Sequence, residues 1–402
     1  MDSLYKDGCP VCAGKPKEVY HSPGLTKMVE RVLRRIQGGF DVEHKIDPDL
    51  FTDSCTALNE AVDRAVKLSV KWGKPDKGFI QELKRNNAVF AAFKAHREQN
   101  DLAGLLVDDD GNARSFDSFR RAAAPVIGEY NVNWLQTEYT TAVRVARTAV
   151  RFKQYEKDGD LYPNGEWLPS RAAEPRMSHR KYYHTVRRLT DPWWETHYPG
   201  CVWGCQCDMR NTDKPVTHIG DNPAAPGAEP TTVPPSEEAG VRSPGLSRNP
   251  ARSGELFSRD HPYFTSAYPG AEKAVAKKMQ TIDVKQARKE VQEWAKREVV
   301  GKSFLNQEIG KEIEITSTGI KEALNQPHKY IREKNEAIRN ITQIIHEAHR
   351  VLYRPDDKGN QMVVGYHYLE FELAGEKSYI VIRETKDGRL MFYSVVDKIK
   401  GR

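Results

Sequence analysis

The 402-residue sequence has no apolar run close to the roughly 20 residues that cross a bilayer. Its opening residues, MDSLYKDGCPVCAGK, lack the basic and apolar regions of a classical signal peptide. Neither sign of charge dominates: the chain has 62 Lys and Arg residues and 56 Asp and Glu residues, and the net charge of +6 is spread along the chain. We therefore expect no membrane partner and no classical export, and the charge permits contact with nucleic acid without indicating it.

Cysteine is scarce, with six residues in the whole chain. Close pairs such as the CxxC near the start and the CxC near residue 206 favour a metal or a local clip over a disulfide framework. The pattern makes a structural zinc ion a candidate, and reduced, half-buried thiols are the alternative. The candidate ligands are Cys9 and Cys12 with Cys205 and Cys207, or with His21 and His44 in place of the second pair.

Aromatic residues are absent from Thr212 to Leu256, while nine prolines fall between residues 212 and 262. Such a segment has little apolar surface with which to offset the entropy of ordering, so we predict a disordered, proline-rich linker over 212–262. It separates a large N-terminal part from a C-terminal part of about 140 residues, in line with the usual size of domains.

The N-terminal part is predicted to be mainly helical. Apolar residues recur at helical spacing over Ser54–Trp72, Ile80–His96 and Val132–Phe152. After Phe152 the chain becomes rich in Trp, His and Pro, which is typical of turns and short strands.

The C-terminal part predicts helices followed by an antiparallel sheet. Helices are expected over Asp283–Val300, after Ser317 or Thr318, and over Ile331–Val351, with a short strand at Glu312–Thr316. Alternating residues and turn signals predict three further strands, Val363–Leu373, Ser378–Thr385 and Leu390–Val396. The fold class is thus multidomain α+β.

The C-terminal part lacks the GxGxxG, P-loop, HExxH and GxSxG motifs. The sequence therefore gives no indication of dinucleotide binding, nucleotide hydrolysis, a zincin protease or an α/β-hydrolase. It offers a polar, basic set of the kind that a metal-independent ribonuclease needs: a base for the ribose 2′-hydroxyl, an acid for the 5′-oxygen and cations for the phosphate. The predicted catalytic residues are His367, Arg383, His328 and Ser394, and the predicted substrate-binding residues are Lys329, Lys334, Asn325 and Tyr393. Several of these residues also have a structural interpretation: His367 as a core histidine, Arg383 as a strand end, His328 as a turn cap and Tyr393 as a sheet aromatic.

The region from about 50 to 212 resembles the phage Mu F-like minor head, or head morphogenesis, family. The resemblance is carried by YNVNWLQTEYTTAVRVARTAVRFKQY, EPRMSHRKYYHTV and DPWWETHYPGCVWGCQCD. The family pattern has an Arg and a His ahead of a Trp, a proline-led turn and a closing Cys-Arg-Cys, in which Gln206 here replaces the Arg. The matching positions are Arg176, His179, Trp193 or Trp194, Pro199, Trp203, Cys205 and Cys207.

The region from about 310 to 398 resembles the phage-associated nucleases of the barnase–EndoU–colicin–RelE-like fold. The matching segments are IEITSTGIKEALNQPHKYIREKN, AIRNITQIIHEAHRVLY and YHYLEFELAGEKSYIVIRETKDGRLMFYSVVD. This resemblance implies a metal-independent endoribonuclease with no cofactor. It supports His328, His367, Arg383 and Ser394 as the candidate catalytic residues.

Together the two resemblances imply a phage head protein that carries a toxin-like RNA-cleaving domain. The predicted domains are an extension with the CxxC (1–49), a head morphogenesis domain (50–211), the linker (212–262), a connecting helical segment (263–309) and a nuclease domain (310–402). The implied partners are RNA, phage portal or capsid proteins and a cognate immunity protein, in a virion head or the host cytoplasm. The alternatives are a purely structural minor capsid protein whose C-terminal module is inactive, and an RNA- or protein-binding adaptor.

Overall fold

The computed structural model describes residues 4–5, 24–69, 75–172, 175, 177–217, 242–357 and 359–399. The chain divides into two compact units, residues 1–278 and 279–402, and both helices and sheets contribute, as the predicted α+β class requires. No helix in the described ranges is both long and apolar enough to cross a membrane.

The first unit is built on long helices that meet through small and apolar side chains. Pro48–Ser69 packs against both Lys77–Ala103 and Leu135–Lys157, burying Leu58, Ala61 and Phe90 among others. The three predicted helices are therefore present. The other helices of this unit are Leu25–Gln37, Phe116–Gly128, Met177–Arg180, Pro250–Ser253 and Pro262–Thr265, with a π-helical turn at Glu129–Trp134 and a 3-10 turn at Pro192–Glu195.

A buried ion pair lies at the centre of this helical core. Lys94 Nζ donates to Glu138 Oε2 at 2.6 Å, and both side chains are fully buried. The hydroxyls of Tyr5 and Tyr263 each donate to Glu138 Oε1 at 2.9 Å. The carboxylate thus has hydrogen bonds on both oxygens, which is the condition under which a buried charge is tolerated.

A small antiparallel sheet follows the helices in the first unit. Its strands β1 (Asn164–Leu168), β2 (Val186–Arg188) and β3 (Asp208–Thr212) are ordered β2-β1-β3. The irregular chain around them is held by large buried aromatics, including Trp167, Trp194 and Trp203.

The prediction of a disordered linker over 212–262 is wrong at both ends: Thr212 belongs to β3 and Thr217 hydrogen-bonds to Val186, and residues 242–262 are folded within the first unit. Leu246 and Phe257 are buried there, and Phe257 stacks on Phe90 with ring centroids 4.1 Å apart. Two of the prolines, Pro250 and Pro262, occupy first positions of short helices, where proline is well tolerated. The segment packs against aromatic residues of the helical core, and its own composition gives no sign of these contacts. Residues 218–241 lie outside the described residues.

The second unit begins at residue 279, ahead of the predicted nuclease domain (310–402). The helix Ala271–Glu298 crosses the boundary, and its last turns contribute Val291 and Ala295 to the core of the second unit. Residues 303–306 form a strand of its sheet, so the predicted connecting segment 263–309 is in large part integral to this unit. Its other helices are Ser317–Asn325, Ile331–Ala337 and Ile341–Glu347, with a 3-10 turn at Ile338–Asn340.

The sheet of the second unit has six strands in the order β4-β5-β9-β8-β7-β6, antiparallel except for the β5–β9 pair. The strands are β4 (Ser303–Asn306), β5 (Lys311–Glu314), β6 (His349–Pro355), β7 (Val363–Leu373), β8 (Glu376–Thr385) and β9 (Leu390–Val396). The predicted strands after residue 363 are confirmed. The predicted helix Ile331–Val351 is wrong after Glu347, because His349–Pro355 pairs with β7 as an edge strand.

Helix and sheet approach each other closely at Gly319. A β-carbon at this position would overlap the carbonyl oxygen of Phe392 on β9. Glycine lets the helix Ser317–Asn325 lie directly on the strand backbone, where it buries Ile320, Ala323 and Leu324.

Candidate functional sites in the two units

In the first unit, one histidine and two cysteines from separate segments meet. His179 lies on the short helix Met177–Arg180, and Cys205 and Cys207 lie just before β3. His179 Nδ1 is 3.6 Å from Cys205 Sγ and 3.6 Å from Cys207 Sγ. The three potential ligand atoms all lie within 4.8 Å of one another.

The surroundings hold this histidine–cysteine cluster in place. His179 is buried, and the edge of its ring meets the Trp167 ring with centroids 5.6 Å apart. The sulfur of Cys201 lies 3.9 Å from the other ring nitrogen, Nε2. Arg144 donates to the carbonyl oxygens of Gly204 and Cys205, which fixes the loop that carries the thiols.

The close approach of thiols and imidazole shifts their proton affinities. Burial acts to lower the pKa of His179, but hydrogen bonds and charge interactions with Cys201 and Cys205 outweigh it and raise that pKa to about 11. The hydrogen bond from Cys207 lowers the pKa of Cys205 well below its ordinary value, while the pKa of Cys207 is raised. The opposite shifts of the two thiols reflect their close contact with each other, and the raised pKa of His179 reflects its contact with thiols.

This cluster differs from the ligand set predicted from the sequence. Cys205 and Cys207 are brought together, but their histidine partner is His179, which spacing alone does not single out. His44 instead hydrogen-bonds to Asp41 and lies outside the cluster. Cys9, Cys12 and His21 lie outside the described residues, as does Arg176.

In the second unit, the four predicted catalytic residues do not converge. His367 on β7 pairs with Ile382, and Arg383 on β8 pairs with Tyr366. Directly opposed residues share a face and successive residues alternate, so His367 and Arg383 lie on opposite faces. The Arg383 guanidinium lies 4.1 Å from the ring centroid of Tyr393, a predicted substrate-binding residue.

His328 and Ser394 occupy structural positions. His328 Nδ1 accepts from the backbone N–H of Tyr330, and its Nε2 is 3.2 Å from Ser378 Oγ, so the ring closes the chain reversal after Pro327. Burial lowers the pKa of His328. Ser394 is buried on β9 opposite Val381.

The predicted substrate-binding lysines already have protein partners. The buried Lys334 Nζ donates to the carbonyl oxygens of Ala323 and Gln326 at 2.5 and 2.8 Å, and it thereby caps the end of the helix Ser317–Asn325. Burial lowers its pKa to about 8. Lys329 pairs with Glu376 on the surface, and Asn325 is exposed at the helix end.

His367 instead belongs to a different group, which sequence reasoning missed. Its Nε2 is 3.3 Å from Glu384 Oε2, and its ring lies 4.8 Å from that of Tyr353 on β6. These side chains and Arg350 line one open groove, which we call the edge-strand groove. Burial lowers the pKa of His367 despite the opposing effect of Glu384.

The edge-strand groove depends on a glycine. Gly365 lies on β7 at a register shift of the β7–β8 pair, and a β-carbon there would come within 2.6 Å of both the Tyr353 hydroxyl and the Arg354 carbonyl oxygen. Its absence leaves room for the Tyr353 ring beside His367. The sequence signal for the groove is the Tyr353–His367 register pair, which requires β6 to be recognised as a strand.

Part of this chain is similar in sequence to two F proteins, one from a phage and one from a prophage. It is 32% identical over 108 residues to the putative capsid assembly protein F of Escherichia phage Mu, and 29% identical over 104 residues to the Mu-like prophage FluMu F protein of Haemophilus influenzae. Each match covers 26% of this chain and 22% of the relative, so the chain spans about a fifth of the length of these relatives. The expected resemblance to Mu F-like proteins is thus supported over about a quarter of the chain.

A domain family described as large polyvalent protein-associated domain 3 matches residues 282–393. This stretch contains the edge-strand groove and nearly all of the second unit's sheet. No solved structure matches the chain significantly.

Proposed function

We propose that this protein is a component of a phage head and that it takes part in capsid assembly. The similarity to the capsid assembly protein of phage Mu carries this proposal. Capsid or portal proteins are then its partners, and the virion or the cytoplasm of the infected host is its location.

The build of the first unit supports a structural role. Its helices are fixed by the buried Lys94–Glu138 pair, and its irregular segment is fixed by large buried aromatics such as Trp194 and Trp203. Pre-organised surfaces lose little conformational entropy on docking, which favours stable assembly.

The direct test is co-assembly. The full chain is expressed with the capsid and portal proteins of the phage that encodes it, and the particles are separated on a gradient. We expect the chain to sediment with heads, and the His367→Ala variant to do so equally, because we assign the head role to the first unit and the edge-strand groove to RNA cleavage. A chain that stays at the top of the gradient in the presence of intact heads contradicts the proposal.

We propose a second function, metal-independent endoribonuclease activity, for the second unit. The observation that favours it is the edge-strand groove, in which an imidazole, a carboxylate, a phenol and a guanidinium meet. Such groups can supply the base, the acid and the cation that transfer of a phosphodiester to a ribose 2′-oxygen uses.

In this reaction His367 Nε2 exchanges its contact with Glu384 for the 2′-hydroxyl, since Nδ1 is buried, and it takes the proton as the bond from the 2′-oxygen to phosphorus forms. The bond to the 5′-oxygen breaks, and that oxygen leaves with the proton of the Tyr353 hydroxyl. The charge of Glu384 favours the imidazolium that results, and Arg350 stabilises the charge on the phosphate. A producer of such an enzyme needs a cognate immunity protein or a late release step.

The test uses the purified full chain, single-stranded and structured RNA, and EDTA throughout. Sequencing of RNA 5′-hydroxyl ends reports cleavage by this route, and His367→Ala is the matched control. Ends that appear with the native chain and are lost with the variant support the proposal. An absence of such ends with the native chain contradicts it and leaves the second unit a binding module.

A further inference from the structure

The histidine–cysteine cluster of the first unit has the dimensions of a metal site. In tetrahedral zinc sites the metal lies about 2.0–2.1 Å from a histidine nitrogen and about 2.3 Å from a thiolate sulfur, which places the two ligand atoms about 3.6 Å apart. Both sulfurs, of Cys205 and Cys207, lie 3.6 Å from the same nitrogen of His179. Both nitrogen-to-sulfur distances thus match those of a tetrahedral zinc site, and the three atoms lie within 4.8 Å of one another.

The position of Cys201 supports this assignment. Its sulfur faces Nε2, the nitrogen that points away from the other two thiols, at 3.9 Å. Metal-binding histidines commonly use their second ring nitrogen for a hydrogen bond that fixes the orientation of the ring. Cys201 thus acts as the orienting partner of His179 and is not a ligand itself.

Two other uses of these side chains fit the geometry less well. A nucleophilic cysteine needs one thiol, one base and access to substrate, whereas here two thiols share one nitrogen and His179 is only 1% exposed. A disulfide between Cys205 and Cys207 would engage both sulfurs and leave the imidazole without them, while all four cysteines within the described residues are free thiols.

We propose that His179 Nδ1, Cys205 Sγ and Cys207 Sγ bind a zinc ion. Two thiolates and an imidazole form a ligand set that suits zinc. The ion ties the short helix Met177–Arg180 to the segment that enters β3, and it thereby braces the irregular, tryptophan-rich part of the first unit. A water molecule takes the fourth position.

The test combines metal analysis with cobalt spectroscopy on the full chain. The chain, purified without chelator, is expected to contain about one zinc per molecule. Replacement by Co²⁺ is expected to produce thiolate-to-cobalt charge-transfer absorption and the visible bands of tetrahedral cobalt. The Cys205→Ser/Cys207→Ser variant is expected to lose both the zinc and the charge-transfer absorption, and His179→Gln to weaken binding.

Cys55→Ser is the matched control, since Cys55 is a thiol of the same unit that lies outside the cluster. It is expected to keep the full metal content. The cobalt spectrum of a Cys9→Ser/Cys12→Ser variant, which lacks the other close cysteine pair, assigns the absorption to the cluster whether or not the Cys205→Ser/Cys207→Ser variant folds. A native chain that shows neither zinc nor thiolate-to-cobalt absorption overturns the proposal, as does a Cys205→Ser/Cys207→Ser variant with undiminished metal.

Discussion

His367 and Arg383 lie on opposite faces of the second unit's sheet, although their strands are neighbours. His367 pairs with Ile382 and faces the edge-strand groove, whereas Arg383 pairs with Tyr366 and stacks on Tyr393.

If the groove cleaves RNA, His367 and Arg383 contribute unequally to the cleavage rate. His367→Ala is expected to lower the cleavage rate roughly 100- to 10,000-fold, as loss of a general base does, while Arg383→Ala stays close to the native rate. Initial rates on one RNA substrate test this, and equal losses in both variants would contradict the assignment.

The pH dependence of cleavage follows from the surroundings of His367. Burial lowers the pKa of His367 below the ordinary 6.5, and the charges of Arg350 and Lys311 act in the same direction, while Glu384 opposes them and the Tyr353 ring lies alongside. The imidazole is then neutral at pH 7 and able to accept a proton. We expect the rate to be flat on the acid side of neutrality until the pH falls through this lowered pKa. A rate profile whose acid limb has its midpoint at or above pH 7 is incompatible with His367 as the base.

The buried Lys94–Glu138 pair predicts a large loss of stability when one partner is removed. Lys94→Met leaves a buried carboxylate without its cation, which costs about 3–5 kcal/mol in the free energy of unfolding. The matched control is Lys84→Met, since Lys84 forms an equally short pair with Asp63 at the surface, where the cost is about 0–1 kcal/mol. Urea unfolding of the first unit measures both. Similar small losses would show that the Lys94 pair is not buried as described.

The contact at Gly319 predicts an effect opposite in sign to helix propensity. Glycine to alanine within a helix ordinarily stabilises by about 1 kcal/mol. Gly319→Ala should instead destabilise the second unit by about 1–3 kcal/mol, because the added carbon overlaps the Phe392 carbonyl. Gly128→Ala is the control, since no atom lies within 4 Å of its β-carbon position. Thermal unfolding of both variants measures the two changes in stability. A Gly319→Ala variant that is more stable than the native chain would contradict the close approach of the helix to the Phe392 backbone.

Local patterns predicted the regular parts of the fold. The strands Val363–Leu373 and Leu390–Val396 have the expected bounds because alternation and glycine-containing turns are properties of neighbouring residues. The sequence of 242–262 does not reveal that the segment is folded, because it packs on partners such as Phe90 that are far away in sequence.

The candidate sites depend on pairings that no local pattern records. His179 meets Cys205 only after the chain has folded back over more than twenty residues, and His367 meets Tyr353 only because residues 349–355 form a strand and not the end of a helix. Residue type identified Cys205, Cys207 and His367 as candidates. Their neighbours depend on the folded structure: on the approach of His179 for the cysteines, and on the register of β6 and β7 for His367.

The most direct measurement of the central claim, a role in the phage head, is the protein composition of purified virions. Virions of the phage that encodes the chain are purified, their tails are removed, and the heads are analysed by quantitative mass spectrometry. A head component is expected to be present in the tail-free heads at a fixed ratio to the capsid protein. Heads that lack the chain, from infected cells in which it accumulates, would contradict the account.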